Sequence, residues 1–237
     1  MIDTHCHLLP GLDDGPRNLS ESLALAHALE AEGVIAAVCT PHFSRQFPTS
    51  RDEAVERLRE LRAELDSAGV ALAITLAAEV SPGHVAALPE DELASRAIAG
   101  RYLLVEALPD ATASVLETLV ARVTGFGLAP VLAHPERSRA VQRHVSAVDS
   151  LRTEGALVQV VAPSLVGRWG EEVAAAAWRL VDTGRADLLA SDAHGARRRR
   201  VHLREATALV RRRLGDGVAA EITEERPTRV VRGLEPG

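Results

Sequence analysis

The sequence contains no lysine: all 27 basic residues are arginine. Together with an excess of alanine, valine and leucine, this reads as a GC-rich coding bias and says little about function. Cysteine is nearly missing too, with only Cys6 and Cys39 in 237 residues, which excludes a disulfide scaffold. The formal net charge is −6, so the chain lacks the overall basic character expected of a general nucleic-acid binder. Two arginine runs, residues 197–200 and 211–213, are local exceptions and read mostly as solvated helix faces. No apolar run approaches the roughly 20 residues needed to cross a bilayer, and Met1 leads into a strand rather than a basic-then-apolar leader. Internal repeats, low-complexity blocks and long linkers are also missing. The expectation is a cytoplasmic protein with no membrane insertion and no nucleic-acid partner.

What is present is an ordinary globular composition, 46% hydrophobic and 25% charged, sufficient for a substantial core. A chain of this length accommodates one large α/β domain, expected here over residues 1–237. Short apolar runs open the chain and recur at residues 34–39, 70–78, 102–105, 128–133, 156–161 and 186–190. Between them lie helical patterns. One runs to about residue 32 from a cap at Asn18 or Ser20, and another covers residues 50–68, with Ser50 as cap and Gly69 as stop. Others cover about 90–98, 111–124, 139–153, 171–183 and 201–214. Residues 224–237 read as a loosely packed terminal strand or coil. Buried strands alternating with helices imply a parallel sheet, and seven such units fit a closed or nearly closed (β/α) barrel, with a doubly wound open sheet as the alternative.

The first fourteen residues organise the rest. Alternation along a strand points His5 and His7 to one face and Thr4 and Cys6 to the other, and Pro10-Gly11 turns the chain. Alone, His-x-His is a weak pattern. Its weight comes from what ends the other strands: His42, Glu79, Glu106, His134 and the Asp192/His194 pair. In a parallel barrel these ends share one face, where catalytic sites are built. Six of seven strands thus end in side chains that bind hard or borderline metal ions. With Asp14 there are nine candidates, more than one ion takes, which favours two or three clustered divalent ions. The imidazole–carboxylate mixture suits manganese, zinc or iron better than calcium or magnesium.

Taken together, His-x-His, Thr-Pro-His42, His134-Pro-Glu-Arg137 and Ser-Asp192-Ala-His194 resemble the polymerase and histidinol phosphatase (PHP) family. The opening Asp-Thr-His-Cys-His-Leu-Leu-Pro-Gly-Leu-Asp-Asp-Gly is most similar to its bacterial capsule and exopolysaccharide branch of manganese-dependent tyrosine phosphatases. The match spans residues 1 to about 200 in order. The resemblance implies a distorted (β/α)7 barrel with three metals, manganese foremost. His5, His7, Glu79 and Asp192 would hold the first ion, Glu79, Glu106 and His134 the second, and Asp14, His42 and His194 the third. Arg137 and one arginine after His194, best matched by Arg199, would bind phosphate oxygens. The chain departs from the branch at Val161, where it often shows Asn, at Pro163, where it shows Gly, and after His194, where Gly195 and an unbroken arginine run replace an Arg-Pro turn.

The implied chemistry is in-line attack on a phosphomonoester by a metal-bridging hydroxide, with metals and arginines neutralising the transferred phosphoryl group. A phenolate leaving group, pKa ~10, needs little protonation, which favours phosphotyrosine on a bacterial tyrosine kinase or its substrates. The alternatives are a small phosphomonoester, such as a histidinol-phosphate-like or nucleotide substrate, and a non-catalytic metal-stabilised regulatory domain. Cys39 and Arg45 also satisfy Cys-x5-Arg, the outline of a cysteine-dependent tyrosine phosphatase. Pro41 removes a backbone donor from that loop and no glycine follows, so the pattern reads as coincidence. His27, His144 and His202 read as helix-surface residues, His84 as a non-ligand, and Phe43 and Trp169 as packing residues.

Overall fold

A computed structural model describes residues 1–236. Nine parallel strand segments form two sheets. One is β1 (Ile2–Cys6), β2 (Ala36–Cys39) and, beyond a two-residue β3 (His42–Phe43), β4 (Ala73–Leu76), in the order β1-β2-β4. The other runs from β3 through β5 (Glu79–Val80), β6 (Tyr102–Glu106), β7 (Ala129–Ala133) and β8 (Leu157–Val161) to β9 (Leu188–Ala190). The expected 34–39 run therefore continues past a break into β3, and the 70–78 run into β5. Pro41 has no N–H to give the first break a ladder bond. The chain crosses from one sheet to the other at both breaks. At the far side, the Asp192 N–H donates to His5 O and the His7 N–H to Ala193 O, each at 2.9 Å.

Local chemistry starts the helices as expected. Asn18, Ser50 and Thr112 each accept a hydrogen bond from the backbone N–H three residues on, satisfying a donor the helix cannot. Gly69 ends the second helix at φ +68°, a conformation that a β-carbon would disfavour. Residues 139–153 are not one helix: two short helices, Arg139–Arg143 and Asp149–Thr153, flank an extended His144 and a 3-10 turn. Around residues 90–98, two short helices (Pro82–Ala87 and Glu90–Ala94) flank Leu88-Pro89, because Pro89 cannot continue the first.

The core has an inner and an outer part. Val38, Leu104, Val131 and Leu188 draw side chains from both sheets into one buried cluster, while Leu25, Leu29, Leu61 and Leu180 pack helices onto the outside. The tail departs from expectation. Glu221–Glu225 form a wide π turn that runs into a helix at Arg226–Val231, and Val230 is fully buried in the inner cluster. Pro227 sits in the first turn of that helix, where a missing N–H costs nothing. Among the described residues, no helix is long and apolar enough to cross a membrane.

Candidate metal centre

The carboxyl ends of the strands converge on a buried floor. His5 and His7 are fully buried, and their Nε2 atoms lie 3.2 Å apart. What holds them is on their other nitrogens. Gln159 anchors its amide by donating to Thr4 Oγ1 (2.9 Å), so its Oε1 accepts from His5 Nδ1 at 2.8 Å. His7 Nδ1 donates to Asp13 Oδ2 at 2.6 Å, and Asp13 also accepts the N–H groups of His42 and Gly15, both at 2.9 Å. A β-carbon on Gly15 would lie 2.7 Å from His7 O, so this loop return requires glycine. In the neutral rings, these partners leave both Nε2 atoms as bare lone pairs facing the floor.

The other candidates close around that point. Asp192 Oδ1 and Glu79 Oε2 each lie 3.5 Å from both Nε2 atoms. Glu79 also meets His42 Nδ1 and His134 Nε2, each at 2.9 Å. His194 donates from Nδ1 to the Asp192 carbonyl (3.0 Å), which turns its Nε2 lone pair toward Asp14 Oδ1 at 3.1 Å. Acceptor thus faces acceptor. Buried Glu79 Oε2, His134 Nδ1 and His194 Nε2 make no well-directed hydrogen bond, the 2.9 Å contact of Glu79 Oε2 with His42 Nδ1 being poorly aligned for one. Such an arrangement is stable around cations and unfavourable without them.

Three groups have ligand atoms close enough to hold an ion: His7, Asp14, His42 and His194; His5, His7 and Asp192; and His42, Glu79 and Glu106. This partition differs from the expected one. His7 belongs to two groups, and His42 rather than His134 accompanies Glu79 and Glu106, while His134 reaches the cluster through its bond to Glu79. The floor is buried and the mouth is open, with the Asp14 side chain 46% exposed.

Electrostatics follow burial and neighbours. Burial alone would raise the Glu79 and Asp192 pKa values, but the surrounding imidazoles hold both carboxylates well below their usual range. Asp14 is drawn down to about 2: burial opposes ionisation, but the adjoining His194 ring and then the Arg199 charge outweigh it. Burial lowers His194 to about 4, so its ring is neutral near pH 7. Glu106 is raised by burial and by the Glu79 charge. His134 (φ +39°) and Asp192 (φ +50°) both sit in the left-handed region that non-glycine residues rarely occupy.

Both candidate arginines reach this floor. Arg137 Nη1 is 3.3 Å from Asp192 Oδ2, and Arg199 bridges Asp192 (3.0 Å) and Asp14 (3.0 Å). Their guanidinium carbons lie 4.9 and 5.8 Å from the Trp169 ring. Trp169 is 37% exposed, not packed away as expected. Cys39 is fully buried, and the loop after it forms strand β3 rather than a helix N-terminus, so no phosphate cradle exists there. His84 pairs with Ser81 Oγ at 3.0 Å and belongs to none of the three groups. Sequence reading missed Asp13, Gln159, Glu136 and the Asp3–Ser191 pair. Only the Asp13-Asp14 doublet offered a signal.

The amino-acid sequence matches a family model described as "Capsular polysaccharide synthesis, CpsB/CapC" over residues 1–232. The tyrosine-protein phosphatase YwqE of Bacillus subtilis (strain 168) is 30% identical over 229 residues, which cover 94% of this chain and 89% of that protein. The tyrosine-protein phosphatase CpsB of Streptococcus pneumoniae is 24% identical over 239 residues, covering 98% of both. Among solved structures, one from a study of YwqE and CpsB as "unique metal-dependent tyrosine phosphatases" superposes with a TM-score of 0.88 at 28% identity, covering 99% of this chain and 95% of that one.

Proposed function

The chain belongs to the CpsB/CapC family of capsular polysaccharide synthesis, and from that premise we propose that it is a metal-dependent protein-tyrosine phosphatase. Its substrate is phosphotyrosine on a protein, such as a bacterial tyrosine kinase or a target of one. The proposed fold is a single distorted (β/α)7 PHP-type barrel. The bonds from Asp192 and His7 that tie β1 to the end of β9 support it.

One observation carries the reading: in the floor, imidazole lone pairs and carboxylate oxygens face one another, with buried Glu79, His134 and His194 atoms unpartnered. The donor set fits two or three divalent ions, manganese first, with iron and zinc as alternatives. His5, His7 and Asp192 would hold one, and Asp14, His42 and His194, with His7, another. Glu79, Glu106 and His42 would hold a third, with His134 completing it through Glu79. Such ions supply Lewis acidity and a lowered water pKa.

The chain's own residues do the rest. Asp13 and Gln159 keep the His7 and His5 tautomers with Nε2 bare. Arg137 and Arg199 present forks that match phosphate oxygens, and the Trp169 face restrains both. No general acid stands outside the ligand set, which suits a phenolate leaving group, pKa ~10.

A metal-reconstituted assay comparing phosphotyrosine peptides with histidinol phosphate and nucleoside phosphates tests the proposal. The expected result is preference for phosphotyrosine, loss with chelator, recovery with manganese and no loss in Cys39→Ala. Activity that survives chelation but vanishes in Cys39→Ala would overturn it.

A further inference from the structure

Beside the floor lies a second cavity, of about 360 Å³, whose lining includes Arg168, Arg197, Arg199 and Arg200 together with Trp169. No carboxylate lines it. Elsewhere on this acidic chain many arginines are neutralised locally: Arg17 by Glu21, Arg57 by Glu60, Arg96 by Glu92 and Arg213 by Asp182. Among the described residues, Arg168, Arg197 and Arg200 have no acidic partner within ion-pair distance. Three uncompensated guanidiniums around one cavity repel one another, and an anionic occupant would relieve that repulsion.

The surroundings specify the occupant. Arg199 lines this cavity while its Nη atoms touch Asp14 and Asp192, so the cavity adjoins the proposed phosphate position. Trp169 forms a wall common to both. Arg168, Arg197 and Arg200 are exposed, so each would hold a lone small anion only weakly. Several anionic groups on one chain gain from their mutual tethering. The volume, at the small end for ligand pockets, suits one or two side chains.

We propose that Arg168, Arg197 and Arg200 form a recognition subsite for aspartate and glutamate side chains flanking the phosphotyrosine of the polypeptide substrate. This rests on the phosphotyrosine reading above. A peptide whose phosphotyrosine engages Arg137 and Arg199 runs past Trp169, which places neighbouring carboxylates against the three free guanidiniums. Arginine forks accept carboxylates bidentately, so the subsite selects acidic over neutral sequence and adds to the association rate.

The test compares the manganese-loaded wild type with R168A/R197A/R200A. Three substrates are used: a phosphotyrosine peptide with Asp/Glu flanks, its Asn/Gln counterpart, and p-nitrophenyl phosphate. The wild type should prefer the acidic peptide by roughly tenfold in kcat/KM, carried by KM and shrinking with added salt. The triple variant should lose that preference while cleaving p-nitrophenyl phosphate at the wild-type rate. Equal wild-type rates on the two peptides would overturn the subsite, as would a stronger preference for a doubly phosphorylated peptide with neutral flanks. If no phosphotyrosine compound is cleaved at all, the underlying reading fails instead. Anisotropy of a labelled acidic, phosphate-free peptide then decides the subsite separately. Binding above the Asn/Gln control that is lost in the triple variant supports it; equal binding, or tighter binding of a single-stranded oligonucleotide, refutes it.

Discussion

His5 and His7 point their Nε2 atoms at each other across 3.2 Å. With His5 Nδ1 donating to Gln159 and His7 Nδ1 to Asp13, each ring in its neutral form presents a bare Nε2 there. Two such lone pairs at that distance, buried with Asp192 and Glu79 oxygens nearby, are the seat proposed for a cation.

Replacing His5 with alanine removes one side of that seat. Bound divalent metal per chain, measured by elemental analysis, should fall below wild type, and phosphotyrosine hydrolysis should drop to background. Far-ultraviolet dichroism should stay unchanged. A variant that kept its full metal complement would show that the pair is not a ligand pair.

Asp13 touches the cluster only through His7, the His42 N–H and Gly15. Asp13→Asn keeps the shape but loses the charge that holds the His7 tautomer. Metal affinity should weaken by about 10–100-fold, with activity restored at high manganese. Titration with manganese while activity is followed distinguishes this from a folding defect, which added metal would not repair.

Glu136 is fully buried, and burial, only partly offset by the nearby Ser164 hydroxyl and the hydrogen bond from the Val161 N–H, raises its pKa to about 7. The native state therefore keeps a proton that the unfolded chain has released above its ordinary carboxyl pKa. That advantage is present at low pH and is lost as pH rises from about 4.5 through about 7, for a total of about 3 kcal/mol. Glu136→Gln mimics the protonated form at every pH. With metal content held constant, its urea midpoint should match wild type near pH 5 and exceed it near pH 8. A variant-minus-wild-type difference equal at both values would refute the assignment.

The helix Arg226–Val231 inserts Val230 into the inner core. Val230→Ala should destabilise the protein by roughly 2 kcal/mol, read as a shifted urea midpoint with an unchanged slope. Activity per folded molecule should not move, since Val230 belongs to the core cluster and not to the metal centre.

The strand–helix alternation and the strand-end placement of His5, His42, Glu79, Glu106, His134 and Asp192 were legible because both are local. Apolar runs bounded by turns mark strands, and a polar residue ending such a run marks its position. The breaks at Pro41 and Leu88-Pro89 are also local, but periodicity averages across them. The helix at Arg226–Val231 was hidden because Pro227 has two meanings, breaker or first-turn residue, and only its packing separates them.

The amino-acid sequence by itself determined the donor inventory, the parallel α/β class and the coincidence of metal-binding residue types at strand ends. Tertiary structure alone decided which donors share a point: His7 in two groups, His42 beside Glu79, Asp13 and Gln159 behind the imidazoles. It also placed Arg199 rather than its neighbours between Asp14 and Asp192, and left Arg168, Arg197 and Arg200 around a separate cavity. The physical reason is range. Periodicity and capping act over a few residues, whereas the meeting of His5 with Gln159 or Arg199 with Asp14 joins atoms more than 150 positions apart in the chain.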